Sequence, residues 1–451
     1  MTPPPIRLTL TLAAFAICAI LAVSASAANQ LEIGEMPDTP APAVDEQIQE
    51  VKDAAERFNK LDFDGALSKL KEAVTKNPQL PPAEVIMASW FARANQPGAV
   101  RLYLDAAVKE NPNDPEAYII LGDVNLNNPR DRRQTEADLL YAKAAELIGG
   151  VQNEERKQKL APRVEAGLAA VAAARGDWAT SQTHLEKWLT LEPKSDTAMQ
   201  RLAIALFRQK KAAEARDQLK AAYEVNPKML HWAAIMGQFY AQAEDDENAK
   251  QWMTYALQAA PKDLNVWLVA AQWSLDAGRL GDAETQAATA MRLDHDSLQA
   301  KNLRGVIALF KEDYASAETY FEAAVSQSPS NFAATNNLAL ALCEQDDDTK
   351  KRKAVEYATN NARMYPKASE AASTYGWVLY KAGRVQEADN VLRQLARSGR
   401  ISQDTAYFIA RVAAEMGRKD EAKALLQNAL KSTRPFSKQR EAKALLAELG
   451  N

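Results

Sequence analysis

The feature that most constrains this chain is a fixed period of 34 residues. Pro78 and Pro112 are 34 residues apart, and Pro193, Pro227 and Pro261 follow one another at the same interval. Upstream of several such positions, apolar residues recur at spacings of four and three, which places each triplet on one helix face. The triplets are Ala215, Leu219 and Ala222; Ala249, Met253 and Ala256; Ala283, Ala287 and Ala290; and Ala317, Phe321 and Ala324. A period of this length predicts a stack of similar units rather than several separate globular cores.

Each unit also contains an earlier helix, marked by a small residue where two helices approach closely. These small residues are Gly122, Gly237, Gly305 and Gly376, with Ala203, Ala271 and Ala339 at equivalent positions. Proline ends the later helix of a unit because it has no N–H to donate. The composition agrees, since 86 alanines stand against 17 glycines and 2 cysteines. We therefore predict an all-α protein whose units are helix, turn, helix, turn.

The repeated unit resembles the tetratricopeptide repeat (TPR), whose pattern W-x2-L-G-x2-Y, A-x3-F and P has the same length and order. The residues Met236-Gly237-Gln238-Phe239-Tyr240, followed by Ala249, Met253 and Pro261, are similar to that pattern. The register continues over about eleven units. The resemblance implies an α-solenoid, in which helix-turn-helix repeats stack into a right-handed superhelix.

The sequence predicts six successive parts. They are a signal peptide at 1–27, a Pro-rich linker at 28–46, TPR-like repeats 1–3 at 47–148, a spacer at 149–161, TPR-like repeats 4–11 at 162–435, and a capping helix at 436–451. The charged stretch Val151–Lys159 either extends a helix or breaks the array in two. The capping helix would cover the apolar face of the last repeat, with Ser437 as its N-cap.

The first 27 residues have the pattern of a secretory signal. The basic Arg7 precedes an apolar run from Leu8 to Val23, and Ser24-Ala25-Ser26-Ala27 supplies small residues for cleavage. We expect export to the periplasm or the cell exterior after cleavage near Ala27. An uncleaved segment would instead anchor the protein at the inner membrane and keep it close to that membrane. A lipoprotein signal fits less well, because Cys18 lies inside the apolar run.

The residues that carry most catalysis are scarce and scattered. His184, His231 and His295 fall in different repeats, and Cys343 has no histidine nearby in the sequence. We expect Cys343 to be a small buried hydrophobe. No glycine-rich phosphate loop or nucleophile motif occurs, so we predict no enzyme, no metal and no small-molecule cofactor. Basic residues are interleaved with acidic ones at a net charge of -4, which also argues against a nucleic-acid partner.

The resemblance further implies a binding groove lined by one face of the first helices. The matching positions are Gln200, Gln238, Gln272, Asn302, Asn336, Trp377, Tyr380, Tyr407 and Arg411. Amides can donate and accept hydrogen bonds together, so a series of them suits an extended peptide backbone. The alternative is that they are ordinary polar residues on a solvated helix face. Most of the tryptophans are expected to pack between helices, with Trp377 as the exception.

These features lead to one principal functional hypothesis and two alternatives. We expect a non-catalytic protein-interaction scaffold in a bacterial cell envelope, binding a peptide or protein partner in the groove. One alternative is a structural subunit of a secretion, pilus or polysaccharide-export assembly. The other is a regulatory subunit that delivers substrates to a separate enzyme.

Overall fold

The structure is a computed structural model that describes residues 48–127, 133–397 and 401–450. Within these ranges it contains 23 α-helices. The expected signal peptide at 1–27 and the linker at 28–46 lie outside the described residues. In the described ranges, no helix is both long enough and apolar enough to cross a membrane.

The described residues fall into two compact units, 48–232 and 233–450. The helices of the first unit are α1 Gln49–Asn59, α2 Phe63–Lys76, α3 Ala83–Arg93, α4 Pro97–Glu110, α5 Pro115–Leu126, α6 Gln134–Ile148, α7 Glu154–Ala174, α8 Trp178–Leu191, α9 Asp196–Arg208 and α10 Ala212–Val225. The helix α11 spans Trp232–Gln242 and therefore begins at the last residue of the first unit.

The second unit continues from α11 with α12 Asp246–Ala259, α13 Leu264–Asp276, α14 Leu280–Leu293, α15 Leu298–Phe310, α16 Tyr314–Gln327, α17 Phe332–Cys343, α18 Asp348–Met364, α19 Ser369–Lys381, α20 Val385–Ala396, α21 Gln403–Glu415, α22 Lys419–Ala429 and α23 Gln439–Gly450. From α1 to α22, odd-numbered helices are the first helices of repeats and even-numbered helices are the second. Each unit is an all-α solenoid of such pairs, as the period predicts.

Side-chain caps mark several helix starts, and glycines in a left-handed backbone conformation follow several helix ends. Side-chain oxygens of Asp263 and Asn331 accept backbone N–H groups at the starts of α13 and α17, which satisfies donors that the helix leaves open. Gly278 and Gly383 follow first helices and have φ of +74° and +79°. Glycine favours this left-handed backbone because it lacks a Cβ, and it turns the chain sharply into the second helix.

The predicted close contacts within repeats are confirmed. A Cβ at Gly305 would lie 2.5 Å from Cε1 of Phe321, and a Cβ at Gly376 would lie 2.5 Å from Cγ of Leu392. All four apolar triplets on the second helices are buried. A small residue on the first helix thus receives a large side chain from the second, and this interlocking brings the two helices together.

Consecutive first helices also contact one another. This occurs between α5 and α7 in the first unit, and along α13, α15, α17, α19 and α21 in the second. First helices are therefore enclosed by neighbouring helices, and α17 buries the seven consecutive residues Ala333–Ala339. Cys343 ends α17 as a buried free thiol, which confirms its predicted role as a small hydrophobe.

The structure differs from the expected spacer at 149–161 and agrees with the alternative in which the charged stretch extends a helix. Residues 154–161 form the first two turns of α7, and Pro162 lies inside this helix. Asn153 caps the helix, while Arg156 pairs with Asp114 and Glu116 at 2.6 and 2.8 Å. Proline commonly marks a helix start, so the pattern placed the boundary too late. The extra turns are held to α5 by these long-range ion pairs.

The capping helix is present as α23, which buries Ala442 and Leu445. The prediction that Ser437 is its N-cap is wrong. The Ser437 hydroxyl donates to Oδ1 of Asp404 at 2.8 Å, and the backbone N–H of Lys438 donates to the same oxygen at 2.9 Å. The cap at this helix start therefore comes from a carboxylate on α21.

Replacing Gly376 with leucine should destabilise the protein by roughly 2–3 kcal/mol, because the new side chain collides with Leu392 in a packed helix contact. Urea unfolding measures this change. Gly281→Ala is the matched control, since a Cβ there meets nothing within 4 Å. A destabilisation of Gly376→Leu no larger than that of the control would contradict the packing argument.

Candidate functional site

The structure places the expected groove residues at buried or partly buried positions rather than on a solvated face. Gln200 lies on α9 in the first unit, and the other eight residues lie on α11 to α21 in the second. Asn302 and Asn336 are 3% and 6% exposed, and Trp377 and Tyr407 are 3% and 7% exposed. Gln238, Gln272, Tyr380 and Arg411 are partly buried. The close packing of first helices accounts for this burial.

Three of the predicted amides carry buried acceptors. Within the described residues, Oδ1 of Asn302, Oδ1 of Asn336 and Oε1 of Gln272 have no hydrogen-bond partner. A buried acceptor without a donor costs about 1–3 kcal/mol. An N–H group that reached these oxygens would recover that free energy, and peptide backbones carry one N–H on each non-proline residue.

The predicted aromatic residues form one cluster on α19 and α21. The ring of Trp377 stacks on Phe408 at 4.4 Å and on Tyr380 at 5.1 Å, and Tyr407 packs against it at 5.6 Å. Arg411 Nε donates to the Tyr380 hydroxyl at 3.1 Å. Four predicted residues thus meet here. Phe408 was missed, because one face of α21 was expected to line the groove and both faces are buried.

A buried carboxylate next to this cluster was also missed. Glu344 follows α17, and its side chain is 8% exposed. Trp377 Nε1 donates to Glu344 Oε1 at 2.8 Å, Lys438 Nζ lies 2.8 Å from the same oxygen, and Lys381 Nζ lies 2.9 Å from Oε2. Burial alone would raise the pKa of Glu344, but the two lysine charges outweigh it and the pKa is lowered. Glu344 is therefore a carboxylate anion held between two cations.

Lys438 connects this carboxylate to further helices. Its ammonium group donates to the Tyr314 hydroxyl at 2.8 Å and to Glu441 Oε1 at 3.0 Å. Its side chain is 9% exposed. Burial lowers the pKa of Lys438, but Glu344 and the other neighbours more than compensate, so the pKa lies above its ordinary value. No sequence pattern indicates this contact, since the partners are distant in the chain.

Gln272 is held by another acidic side chain, that of the partly buried Asp276. Its Nε2 donates to Asp276 Oδ1 at 2.8 Å, one turn further along α13. Burial raises the pKa of Asp276 to about 6, although the Gln272 hydrogen bond and the charge of Arg434 both act to lower it. Asp276 therefore changes its protonation state near neutral pH.

The histidines occupy three unrelated environments. Nδ1 of His184 lies 2.6 Å from a Glu165 oxygen, and His231 is buried beside Tyr223 and Trp232. His295 is exposed. In the part of the chain that the structure describes, no group of three or more His, Cys, Asp or Glu side chains could hold a metal ion.

Stacked helix pairs with small residues at their crossings define an α-solenoid repeat protein. Family models described as tetratricopeptide repeat match residues 166–229, 268–331 and 303–355, and a further model with that description matches 404–435. These stretches of the chain are tetratricopeptide repeats. Repeats of this family are generally non-catalytic modules that bind protein or peptide partners.

Several solved structures are similar to this chain. A tetratricopeptide repeat protein from Parabacteroides merdae is 14% identical with a TM-score of 0.46, over 57% of this chain and 100% of its own. Yeast Tom70 is 13% identical with a TM-score of 0.38, over 89% and 95%. PilW, a type IV pilus biogenesis factor, is 19% identical with a TM-score of 0.37, over 44% and 90%. No curated protein matches the chain in sequence.

Asp276→Asn should remove part of the pH dependence of stability. The pKa of Asp276 is about 6 in the folded protein and near the ordinary 3.8 when unfolded, so the folded state binds the proton more tightly. Wild-type stability should therefore fall as pH rises from about 4 through 6. We expect the variant to be roughly 1–3 kcal/mol more stable than wild type at pH 8 and equally stable at pH 4. Urea unfolding at both pH values measures this, and an identical difference at both would contradict the assignment.

Proposed function

We propose that this protein is a non-catalytic scaffold of the cell envelope that binds an extended peptide segment of a protein partner on the first-helix face of its second unit. The observation that carries the proposal is the pair of buried acceptors on Asn302 and Asn336, which lack donors within the described residues. The two residues are 34 positions apart and occupy equivalent places on α15 and α17.

Peptide binding accounts for the presence of asparagine at two buried positions where stability alone does not favour an unpaired amide oxygen. Alanine at these two positions would carry no unpaired oxygen, so an amide there has a cost in the free protein. A backbone segment lying across the helices would donate to the amides whatever its side chains. Within the aromatic cluster, Tyr380 is the partly exposed ring, and an aromatic side chain of this kind commonly anchors an interface. Entry requires movement of neighbouring side chains, because both amides are more than nine-tenths buried in the free chain.

The double variant Asn302→Ala/Asn336→Ala should weaken partner binding about fivefold or more, because two hydrogen bonds of about 0.5–1.5 kcal/mol each are lost. Its urea midpoint should stay close to wild type, because the removed oxygens have no partner in the free chain. The measurement is quantitative capture of envelope proteins by the immobilised full chain, read by mass spectrometry.

Gln251→Ala/Asn390→Ala is the matched control, since it removes two exposed amides from the second helices α12 and α20. The control should capture the same partners as wild type. Unchanged capture by the Asn302/Asn336 variant, with folding intact, would remove the proposed site.

We further propose that the protein is exported and that residues 28–46 tether the repeats. The basic Arg7, the apolar run and the small residues before Ala28 support this. Expression of the full chain in a bacterial host should yield a periplasmic protein whose first residue, by N-terminal mass spectrometry, is Ala28. A protein that keeps Met1 and stays in the cytoplasm would contradict export, and one that keeps Met1 at the inner membrane would favour the anchored form.

A second candidate function is that of a structural subunit in an envelope assembly, and one observation favours it. Leu102 on α4 and Leu139 on α6 are 67% and 68% exposed, and both lie on second helices of the first unit. Large apolar side chains at equivalent places on neighbouring repeats suit a docking surface. Crosslinks confined to second helices, together with loss of assembly in Leu102→Ser/Leu139→Ser, would favour this function over the peptide site.

A further inference from the structure

The segment that precedes and begins α23 contacts helices far upstream. We call residues 434–441 the bridging segment. Arg440 forms an ion pair with Glu312, in the turn before α16. Pro435 packs against Gly278, in the turn before α14, where an added Cβ would lie 3.4 Å from the proline ring. The bridging segment therefore touches several intra-repeat turns of the second unit besides the last repeat that α23 covers.

Lys438 is the centre of these contacts. A lysine ammonium has three N–H donors. The three acceptors around Lys438 are the Tyr314 hydroxyl at 2.8 Å, Glu344 Oε1 at 2.8 Å and Glu441 Oε1 at 3.0 Å. The ammonium also lies 5.0 Å from the centre of the Tyr314 ring, within range of a cation–π contact. We call Tyr314, Glu344 and Glu441 the lysine cage.

Coverage of the last repeat does not require this cage. Phe436, Ala442 and Leu445 already bury apolar side chains against the array. Glu344 would remain paired with Lys381 and Trp377 if Lys438 were absent. Burying a lysine costs desolvation free energy that an apolar residue avoids. The lysine cage offsets that cost with three acceptors placed around one ammonium group.

Two of the cage residues come from the repeat array and one from α23. Tyr314 begins α16 and Glu344 follows α17, whereas Glu441 belongs to the bridging segment. Withdrawal of the bridging segment would leave Tyr314 and Glu344 in place with a vacancy for a cation. Asn336 lies on α17, eight residues before Glu344, which is about 12 Å along the helix. A single extended peptide can span that distance with about four residues.

We propose that Tyr314 and Glu344, the two lysine-cage residues of the repeat array, form a binding site for a lysine side chain of a partner peptide, and that Lys438 of the bridging segment is its intramolecular occupant. The inference rests on the proposed function, since it names the chemistry of the peptide and the contact that keeps the site closed. A partner with a lysine displaces Lys438, and the bridging segment then leaves the turns before α14 and α16. Binding is slow or weak until that displacement occurs.

The test uses the full chain and a fluorescent synthetic peptide of residues 432–450, with anisotropy as the measurement. Lys438→Ala removes the ammonium group from the cage and so weakens the intramolecular competitor, although Phe436 and Leu445 still hold the segment. This variant should therefore bind the peptide at least tenfold more tightly than wild type. A peptide in which the residue equivalent to Lys438 is alanine should bind both proteins at least tenfold more weakly than the lysine peptide does. Lys443→Ala is the matched control, because Lys443 is exposed on the same helix, and it should behave as wild type.

Equal peptide affinity in wild type and Lys438→Ala, or undiminished binding of the alanine peptide, would overturn the proposal. Adding Glu344→Gln to Lys438→Ala should abolish binding, and a double variant that binds as tightly as Lys438→Ala would also overturn it. Wild type provides a measurement that needs no substitution: saturating peptide should increase hydrogen exchange across the protein's own residues 434–441. Absence of that increase would count against displacement.

The outcomes separate this inference from the proposed function. Failure of the peptide experiments, with envelope capture still dependent on Asn302 and Asn336, would remove the lysine cage and leave the scaffold function. Cage binding of the peptide, with capture independent of both asparagines, would leave the cage and remove the amide site.

Discussion

The second unit depends on one repeated contact, in which a small residue on a first helix meets a large side chain on the second. Gly305 accommodates Phe321, and Gly376 accommodates Leu392. These contacts set the distance between the two helices of a repeat. They also set how close consecutive first helices lie, because each first helix must contact its own partner, the preceding second helix and the next first helix. The first helices therefore become the interior of the array.

That interior position explains the state of the predicted binding residues. The resemblance implied that one face of the first helices lines an open groove. In the structure neighbouring helices enclose that face, so Asn302 and Asn336 are buried with the apolar residues around them. Each unpaired buried acceptor destabilises the fold by about 1–3 kcal/mol. The many apolar contacts of the array offset this loss. The same enclosure stacks Trp377 on Phe408 and Tyr380 and orders the aromatic cluster without a ligand.

Structural features that recur in each repeat could be predicted from the sequence, whereas features that occur once could not. The fixed period predicted the helix pairs, their buried triplets and the small residues at the crossings, because each depends on local spacing. Asp404 as the cap of α23 and Glu344 as the partner of Lys438 could not be predicted in this way. Both join residues from different repeats, and no periodicity relates such pairs. The start of α7 was placed late because Pro162 fits the pattern of a helix start. No periodicity indicates that Arg156 pairs with Asp114 and Glu116 at the start of α5.

Among the cationic side chains, the cage geometry favours lysine over arginine. Arginine presents its donors in a rigid planar fork that matches the two oxygens of one carboxylate. The acceptors around Lys438 instead come from three side chains, and only one oxygen of Glu344 faces the ammonium while Lys381 pairs with the other. A compact ammonium with three diverging N–H groups fits that arrangement, whereas a guanidinium would compete with Lys381 for the second oxygen. Discrimination between the two cations therefore depends on Lys381, which keeps Glu344 from offering both oxygens to one ligand.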